Sequence, residues 1–361
     1  MDSAINRFFA DHVPRFTQAL EEFDRHIDRQ AEPESDALVA ELTHSINASL
    51  DDCAALEAQL AGEPQLLKET QIRYREAIWP WFGQSWFMNH ALSKPRGYPG
   101  DYQMLTAIYD GVPRSRGLGG YLDRYFLNTS LGRAVPARLR LARKFLVDEL
   151  NSRQGDVAVL NVACGPCREY LAGLPARNGQ TTITLVDNDA LALDYVQANV
   201  SPILANTAQV NFVRYNALRM TSAAVNIERF GRSDIIYSVG LCDYIPDKYL
   251  IPLLQGWRES LREGGVVYVA FKDCKLYQTP EYQWLVDWFF LQRTTEECRK
   301  LFELAGYDMD ELDSVRDETG IIINYIARSK VPAFVRLDTA EPLSGPQTAD
   351  VPATTDANRT I

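Results

Sequence analysis

Between Asp156 and Phe271, short apolar runs rich in β-branched residues alternate with stretches of helical periodicity, and few architectures satisfy that alternation. The runs are VAVLNVA (157–163), TTITLVD (181–187), VNFVRYN (210–216), SDIIYSVG (233–240) and GVVYVAF (265–271). Helix-like segments begin between them near Cys167, Ala190, Thr221 and Asp247. Strands separated in this way form βαβ units, and hence a parallel sheet covered by helices on both faces. After the fifth run, QWLVDWFFLQRTTEECRKLFELAGY reads as further helix. DMDELDSVRDETG and IIINYIARSK (321–330) then read as a closing antiparallel hairpin. The expected fold is α/β, with a mostly parallel sheet of seven strands.

Upstream the period changes. Ile5, Phe9, Val13, Phe16, Leu20, Phe23 and Ile27 recur at steps of three or four and so share one helical stripe, with Pro14 expected to kink or restart the helix. After the polar break AEPESD, Leu42, Ile46, Leu50, Cys53, Leu56 and Leu60 repeat the pattern, which predicts an antiparallel helical hairpin. Such an arm serves packing or homodimer formation, or closes over a substrate. His12, His26 and His44 fall on polar positions and read as surface residues. From Trp79 to Gly111, tryptophans, tyrosines and turn residues crowd around KPRGYPGDY, too irregular for a simple helix and suited to building a pocket. Residues 121–150 return to helical periodicity. The boundaries expected are a helical domain 1–138 containing the aromatic loop 79–111, a sheet domain 139–332, and a tail 333–361 whose Pro, Thr, Ala and Asp bias is that of a flexible segment.

With 361 residues, 46% hydrophobic and 24% charged, the chain has a globular composition. The net charge of −11 opposes binding to nucleic acid or to an anionic membrane surface and favours a small-molecule partner. No window approaches the roughly 20 apolar residues of a membrane span. The opening MDSAINRFFADHVPRF lacks the apolar core of a secretory signal, so the cytoplasm is expected. The six cysteines then read as reduced thiols. Cys164-Gly165-Pro166-Cys167 has the spacing of a redox or zinc pair, but it has no second pair and the histidines lie far upstream, so no metal is expected.

In LNVACGPCREY a strand runs into a tight turn of small residues and then into an expected helix, where backbone N–H groups can meet a ligand at the carboxyl end of the sheet. Asp187 closes the second run 22 residues after Gly165. It can take the two hydroxyls of a ribose, or, with Asn188 and Asp189, cap the helix that follows. Asn216-Ala217 offers an amide to an adenine edge or is a plain turn. Val239-Gly240-Leu241 leaves room for a flat ring.

With these four strand ends in place, the chain resembles the class I S-adenosylmethionine-dependent methyltransferases over about residues 140–330. NVACGPC is similar to their glycine-rich first motif, LVDND to their ribose-binding acid, RYNA to their adenine loop, and SVGLCDYIPD to the fourth-strand motif facing the acceptor. Asn161 stands where an acid is common, and Ala163 and Cys167 where glycines are common. The resemblance implies a Rossmann-like methyltransferase sheet and S-adenosylmethionine as cofactor. It implies cofactor contacts from Asn161, Ala163, Cys164, Gly165, Asp187, Asn188, Asn216, Ala217, Val239, Gly240 and Leu241. A nicotinamide cofactor asks for G-x-G-x-x-G around its pyrophosphate, whereas this turn has one glycine.

NHALSKPRGYPGDY and GLCDY also resemble a group that includes bacterial methyltransferases of 3-hydroxy fatty acid methyl ester (extracellular factor) signalling and natural-product relatives. That resemblance implies that Arg96, Tyr98, Asp101 and Tyr102 fold over the cofactor, with Arg96 pairing bidentately with the methionine carboxylate. Alternatively, Asp101 simply caps the helix QMLTAIY. The general-base candidates are His90, Asp243, Tyr244 and Tyr102. Trp284, Trp288, Phe289 and Tyr277 either wall the acceptor or pack on the sheet. The expected activity is O-methylation of a carboxyl or hydroxyl group, or C-methylation of a phenol or tyrosine-like ring, on a small molecule. The alternatives are a cofactor-binding module without catalysis and a nucleic-acid methyltransferase. The latter is opposed by the charge and by the lack of an N/D-P-P-Y/F tetrapeptide.

Overall fold

Each of the apolar runs is a strand in the computed structural model, which describes residues 2–329; the expected tail 333–361 lies outside the described residues. The strands are β1 (Val157–Val162), β2 (Thr181–Asp187), β3 (Gln209–Arg214), β4 (Ser233–Val239), β5 (Leu261–Lys272), β6 (Leu312–Arg316) and β7 (Ile322–Arg328). They form one sheet in the order β3-β2-β1-β4-β5-β7-β6. The first five are mutually parallel, and β7 runs antiparallel to both β5 and β6. Residues 233–238 of β4 are all buried, as expected of a central strand covered on both faces. Chain order reverses between β1 and β4, which opens a crevice at their carboxyl ends.

The N-terminal segment is helical, as its stripes predict. The helices are α1 (Asp2–Arg7), α2 (Val13–His26), α3 (Asp36–Gln59), α4 (Pro64–Phe82), α5 (Trp86–Ser93), α6 (Tyr102–Asp110), α7 (Gly117–Asn128) and α8 (Ser130–Ser152). The helix restarts at Pro14, as expected: α1 ends at Arg7 and Pro14 stands in the first turn of α2. A π-helical turn, Phe8–His12, lies between the two, closed by the Val13 N–H donating to the Phe8 carbonyl. Arg15 near the start of α2 pairs with Asp52 late in α3, so the two helices are antiparallel. His12 is half-buried and joins the same carboxylate at 2.9 Å rather than lying free on the surface. The aromatic segment is more regular than its sequence suggests. Helix α4 carries Pro80 within its last turn, and the irregular stretches are the short turn 83–85 before α5 and residues 94–101 between α5 and α6.

Between the strands and after them lie α9 (Ala190–Asn199), α10 (Ser201–Leu204), α11 (Ala223–Phe230), α12 (Asp247–Glu259), α13 (Thr279–Val286) and α14 (Thr295–Leu304). The helix expected near Cys167 is absent. One 3-10 turn, Arg168–Tyr170, leads into a loop containing Gly173, Pro175 and Gly179, two of them glycines at positive φ. Helix α8 covers the sheet there, placing Phe145, Leu146 and Leu150 in one cluster with Val157, Val159 and Tyr170. The stretch after β5 is two helices rather than one, because Asp287 turns left-handed (φ 53°) and ends α13.

Helix α13 belongs to the core of the N-terminal helices. Trp284 is fully buried, edge-on to Tyr74 at 5.5 Å and close to Phe8 at 5.8 Å, and its indole N–H donates to Glu57 at 2.7 Å. Arg75 of α4 donates to the Gln283 carbonyl at 2.7 Å. This apolar cluster continues to Ala270 and Ile322 on the sheet.

Candidate active site

The turn after β1 is anchored before it meets any ligand. The Cys164 N–H donates to the Val186 carbonyl at 3.1 Å, and the Gly165 N–H donates to one oxygen of Asp187 at 2.9 Å. Ala163, Gly165 and Cys167 all adopt left-handed backbone, with φ of 54°, 55° and 50°. Ala163 and Cys167 therefore keep the conformation that the glycines of the resemblance would supply, at about 1–2 kcal/mol each. The second Asp187 oxygen accepts the Asp189 N–H at 2.9 Å. Burial pushes the Asp187 carboxyl up, and these N–H donors oppose the shift.

Asp189 performs the capping that was the alternative role for this stretch: it accepts the Leu191 N–H at 3.0 Å at the start of α9. It is also held by Arg96 through two bonds, which lower its carboxyl below the ordinary range. Asp187 is thus left with its carboxylate edge facing a cavity of about 380 Å³. The cavity lies over the carboxyl ends of β1 to β4 and is roofed by Tyr98, Gly100 and the Tyr102, Leu105 and Ile108 face of α6.

The strand ends meet there as the sequence suggests. Ala163 and Gly165 come from β1, Asp187 and Asn188 from β2, Asn216 and Ala217 from β3, and Val239, Gly240 and Leu241 from β4. Asn216 also accepts the Leu218 N–H at 3.0 Å, so its turn role is real and coexists with its position at the cavity. Tyr98, Tyr102 and Tyr244 line the cavity as well.

Six proposed site residues do not line it. Arg96 is committed to Asp189. Asp101 is fully buried, caps α6 through the Gln103 and Met104 N–H groups at 2.9 Å, and bonds His90 Nε2 at 2.8 Å. His90 itself stacks on Trp86 at 4.6 Å. Asn161 lies beneath the turn, donating to the Tyr237 hydroxyl at 2.8 Å and to Glu169 at 3.1 Å. The Cys164 side chain is buried with Cys167, each thiol pushed up. Asp243 is buried behind Lys272, 2.5 Å from its Nζ. Among the aromatic candidates, Trp288 lines the cavity and donates to the Tyr244 hydroxyl at 2.8 Å. Trp284 is in the helical core, Phe289 is exposed, and Tyr277 sits behind Phe290.

Two cations lining this cavity escaped the sequence reading. Arg138 on α8 is 4% exposed; its Nε has no hydrogen-bond partner and no carboxylate lies within ion-pair distance of it among the described residues, although the Tyr109 hydroxyl bonds to it and the buried Glu169 carboxyl feels its charge. Its guanidinium lies so close to Gly240 that a Cβ there would sit 3.0 Å from Nη1; with φ of 116°, this position requires glycine. The signal was available. Leu131, Val135, Arg138, Ala142 and Phe145 form one apolar stripe of α8, and an arginine on that stripe is buried or faces a cleft. The second cation is Lys272, the last residue of β5. Burial lowers its ammonium, Asp243 opposes that shift, and Arg138 reinforces it. The cavity therefore has a carboxylate at the β2 end and positive charge where α8 and β5 meet. Among the described residues no cluster of three or more His, Cys, Asp or Glu has the arrangement of a metal site, and no helix is long and apolar enough to cross a membrane.

Strand order, the closing antiparallel hairpin and the crevice position are those of the class I methyltransferase fold, and the chain has that fold. Among solved structures it is similar to a possible exported protein of Bordetella parapertussis, at 20% identity over 67% of this chain and 85% of that one, with a TM-score of 0.51. Lower likeness is found to the CurJ carbon methyltransferase, at 11% identity over 90% and 91% of the two chains (TM-score 0.44). It is also found to magnesium protoporphyrin IX methyltransferase of Synechocystis PCC 6803 with bound SAM, at 10% identity over 55% and 83% (TM-score 0.39). No protein-family model matches the chain, and no curated protein matches it significantly.

Proposed function

We propose that the protein binds S-adenosylmethionine in this cavity and transfers its methyl group to a small-molecule acceptor, at an oxygen or at an aromatic carbon. The observation that carries this is the charge layout: a backbone-anchored carboxylate, Asp187, at the end of β2, and a buried guanidinium without an ion-pair partner, Arg138, beside the β1 and β4 ends. The donor has ribose hydroxyls in its nucleoside half and a carboxylate in its amino-acid half, so both groups find partners. A buried cation with an unfilled N–H and no direct ion pair is costly, and an incoming carboxylate offsets that cost.

Asp187 would accept from the ribose hydroxyls, and Asn216 and Ala217 would border the adenine. Arg138, in place of Arg96, would donate to the methionine carboxylate, and Val239 to Leu241 would flank the sulfonium. When bound, the donor supplies an activated methyl group. The protein's own task is then alignment of the acceptor and exclusion of water. Its walls do this with Tyr102, Leu105 and Ile108 from α6 and Tyr244, Trp288 and Phe290 from the other side.

Calorimetric titration with S-adenosylhomocysteine, followed by incubation with labelled donor and a metabolite extract, tests the proposal. Binding and a labelled small-molecule product are expected. Asp187→Ala should weaken binding by about 1.5–3 kcal/mol through loss of a charged hydrogen-bond acceptor. No binding of S-adenosylhomocysteine would overturn the assignment, and binding without any labelled product would favour the non-catalytic module.

A further inference from the structure

The acceptor end of the cavity has its own chemistry. Lys272 is 6% exposed yet borders the cavity, with Nζ 2.5 Å from Asp243 and 4.2 Å from the centre of the Phe290 ring. The Tyr244 ring lies 5.7 Å from the same nitrogen. The Tyr244 oxygen accepts the Trp288 indole N–H, so its own proton is free to be donated elsewhere. Tyr282 and Phe290 complete a wall of flat rings on this side.

We infer that the acceptor is a hydroxyarene, bound with its ring against Tyr244, Tyr282, Trp288 and Phe290, and with its ionised hydroxyl held by the Lys272 ammonium and the Tyr244 O–H. This deepens the methyl-transfer assignment and rests on it. The wall selects a flat ring, because stacked and edge-on aromatic contacts add to burial. The charge balance selects the hydroxyl. Lys272 is already paired with Asp243, so a permanent carboxylate must shed its water with its full charge on entry, whereas the charge of a phenolate forms only in place, beside the Lys272 ammonium, the Tyr244 O–H and the donor's sulfonium. A phenol enters neutral and gives up its proton only once it lies beside the donors. An aliphatic alcohol is too weak an acid for the same pair to ionise.

The proton leaves to water, and either the phenolate oxygen forms a bond to the methyl carbon, or the ring carbon beside it does, in which case that carbon then loses its own proton to water and the oxygen takes one back. The carbon–sulfur bond breaks with its electron pair remaining on sulfur. Either product releases one proton per turnover. The charged and titratable groups facing Lys272 are Asp243 and Cys242 on the turn after β4, Tyr244 on the same turn, and Arg138 on α8.

The test uses para-nitrophenol, whose ionised form absorbs visibly, with the full-length protein loaded with S-adenosylhomocysteine. Binding should lower the probe's apparent pKa by about one unit, a roughly tenfold shift in its ionisation equilibrium. In the paired variant Lys272→Gln, Asp243→Asn, which leaves no buried carboxylate uncompensated, the shift should vanish while S-adenosylhomocysteine affinity stays within about threefold. Tyr244→Phe should lose part of the shift. A probe that binds without ionising more readily, or fails to bind the loaded protein, overturns the inference; so does a shift that survives in the paired variant. Failure to bind S-adenosylhomocysteine at all instead overturns the cofactor assignment.

Discussion

Arg138 and Asp187 line one cavity at different strand ends, and their effects on binding should be separable. Arg138→Met should weaken S-adenosylhomocysteine binding about 10- to 100-fold, the worth of a charge-assisted hydrogen bond. Methylthioadenosine, which lacks the amino-acid carboxylate, should bind both forms equally; titrating both compounds into both proteins checks this. Glu169 reports on the turn from below. It is buried, and its Oε1 accepts the Tyr237 hydroxyl at 2.7 Å and the Asn161 amide at 3.1 Å. Burial raises its carboxyl above the ordinary range. A carboxyl raised in the fold contributes stability that is full in acid and is lost as pH rises through the folded value. Glutamine keeps the accepting oxygen without the charge, so Glu169→Gln should melt higher than the parent at neutral pH. The gap should close below the ordinary carboxylate range, as thermal melts at the two pH values would show. At this scale Asp187 was legible because strand ends and spacing depend on local sequence. Arg96 was misplaced because its partner, Asp189, lies 93 residues away, across a loop whose path no periodicity encodes.

Helix α6 is the element that joins the helical half to the cavity at the strand ends. Its start depends on Asp101, whose carboxylate takes two backbone N–H groups and His90 together. Asp101→Ala should cost about 2–4 kcal/mol, through loss of the cap and an orphaned buried imidazole. It should also reduce S-adenosylhomocysteine affinity although Asp101 does not line the cavity, because Tyr102, Leu105 and Ile108 sit on that helix. Asp101→Asn, which retains the capping oxygen, should recover most of the stability; denaturant unfolding and titration measure the two effects. The strands were legible as elements because residues buried on both faces must be apolar throughout. The missing helix after β1 was not. A short apolar periodicity in REYLAGL is cancelled by Gly173, Pro175 and Gly179, and only the docked α8 shows what fills the space.

Across the whole molecule, the helical half and the sheet half meet through α13. Trp284→Ala removes the largest side chain at that junction and orphans Glu57, and should cost about 3–5 kcal/mol. Loss of S-adenosylhomocysteine binding should coincide with the single unfolding transition, as tryptophan fluorescence and ligand titration along a denaturant series would reveal. The stripe of α3 was readable on its own, whereas the helix that completes its core enters more than 200 residues later, and no pattern within either segment announces the pairing.

The same junction sets an order of events during synthesis. Glu57 leaves the ribosome 227 residues before Trp284. At about 5–20 residues per second, the first helices wait roughly 10–45 s for the side chain that fills their centre. Throughout that interval Tyr74 and Phe8 lack the indole they pack against in the finished fold. Demand for a holding chaperone should therefore fall on the nascent helical segment more than on the sheet, whose paired strands are separated by far fewer residues, 76 between β1 and β4.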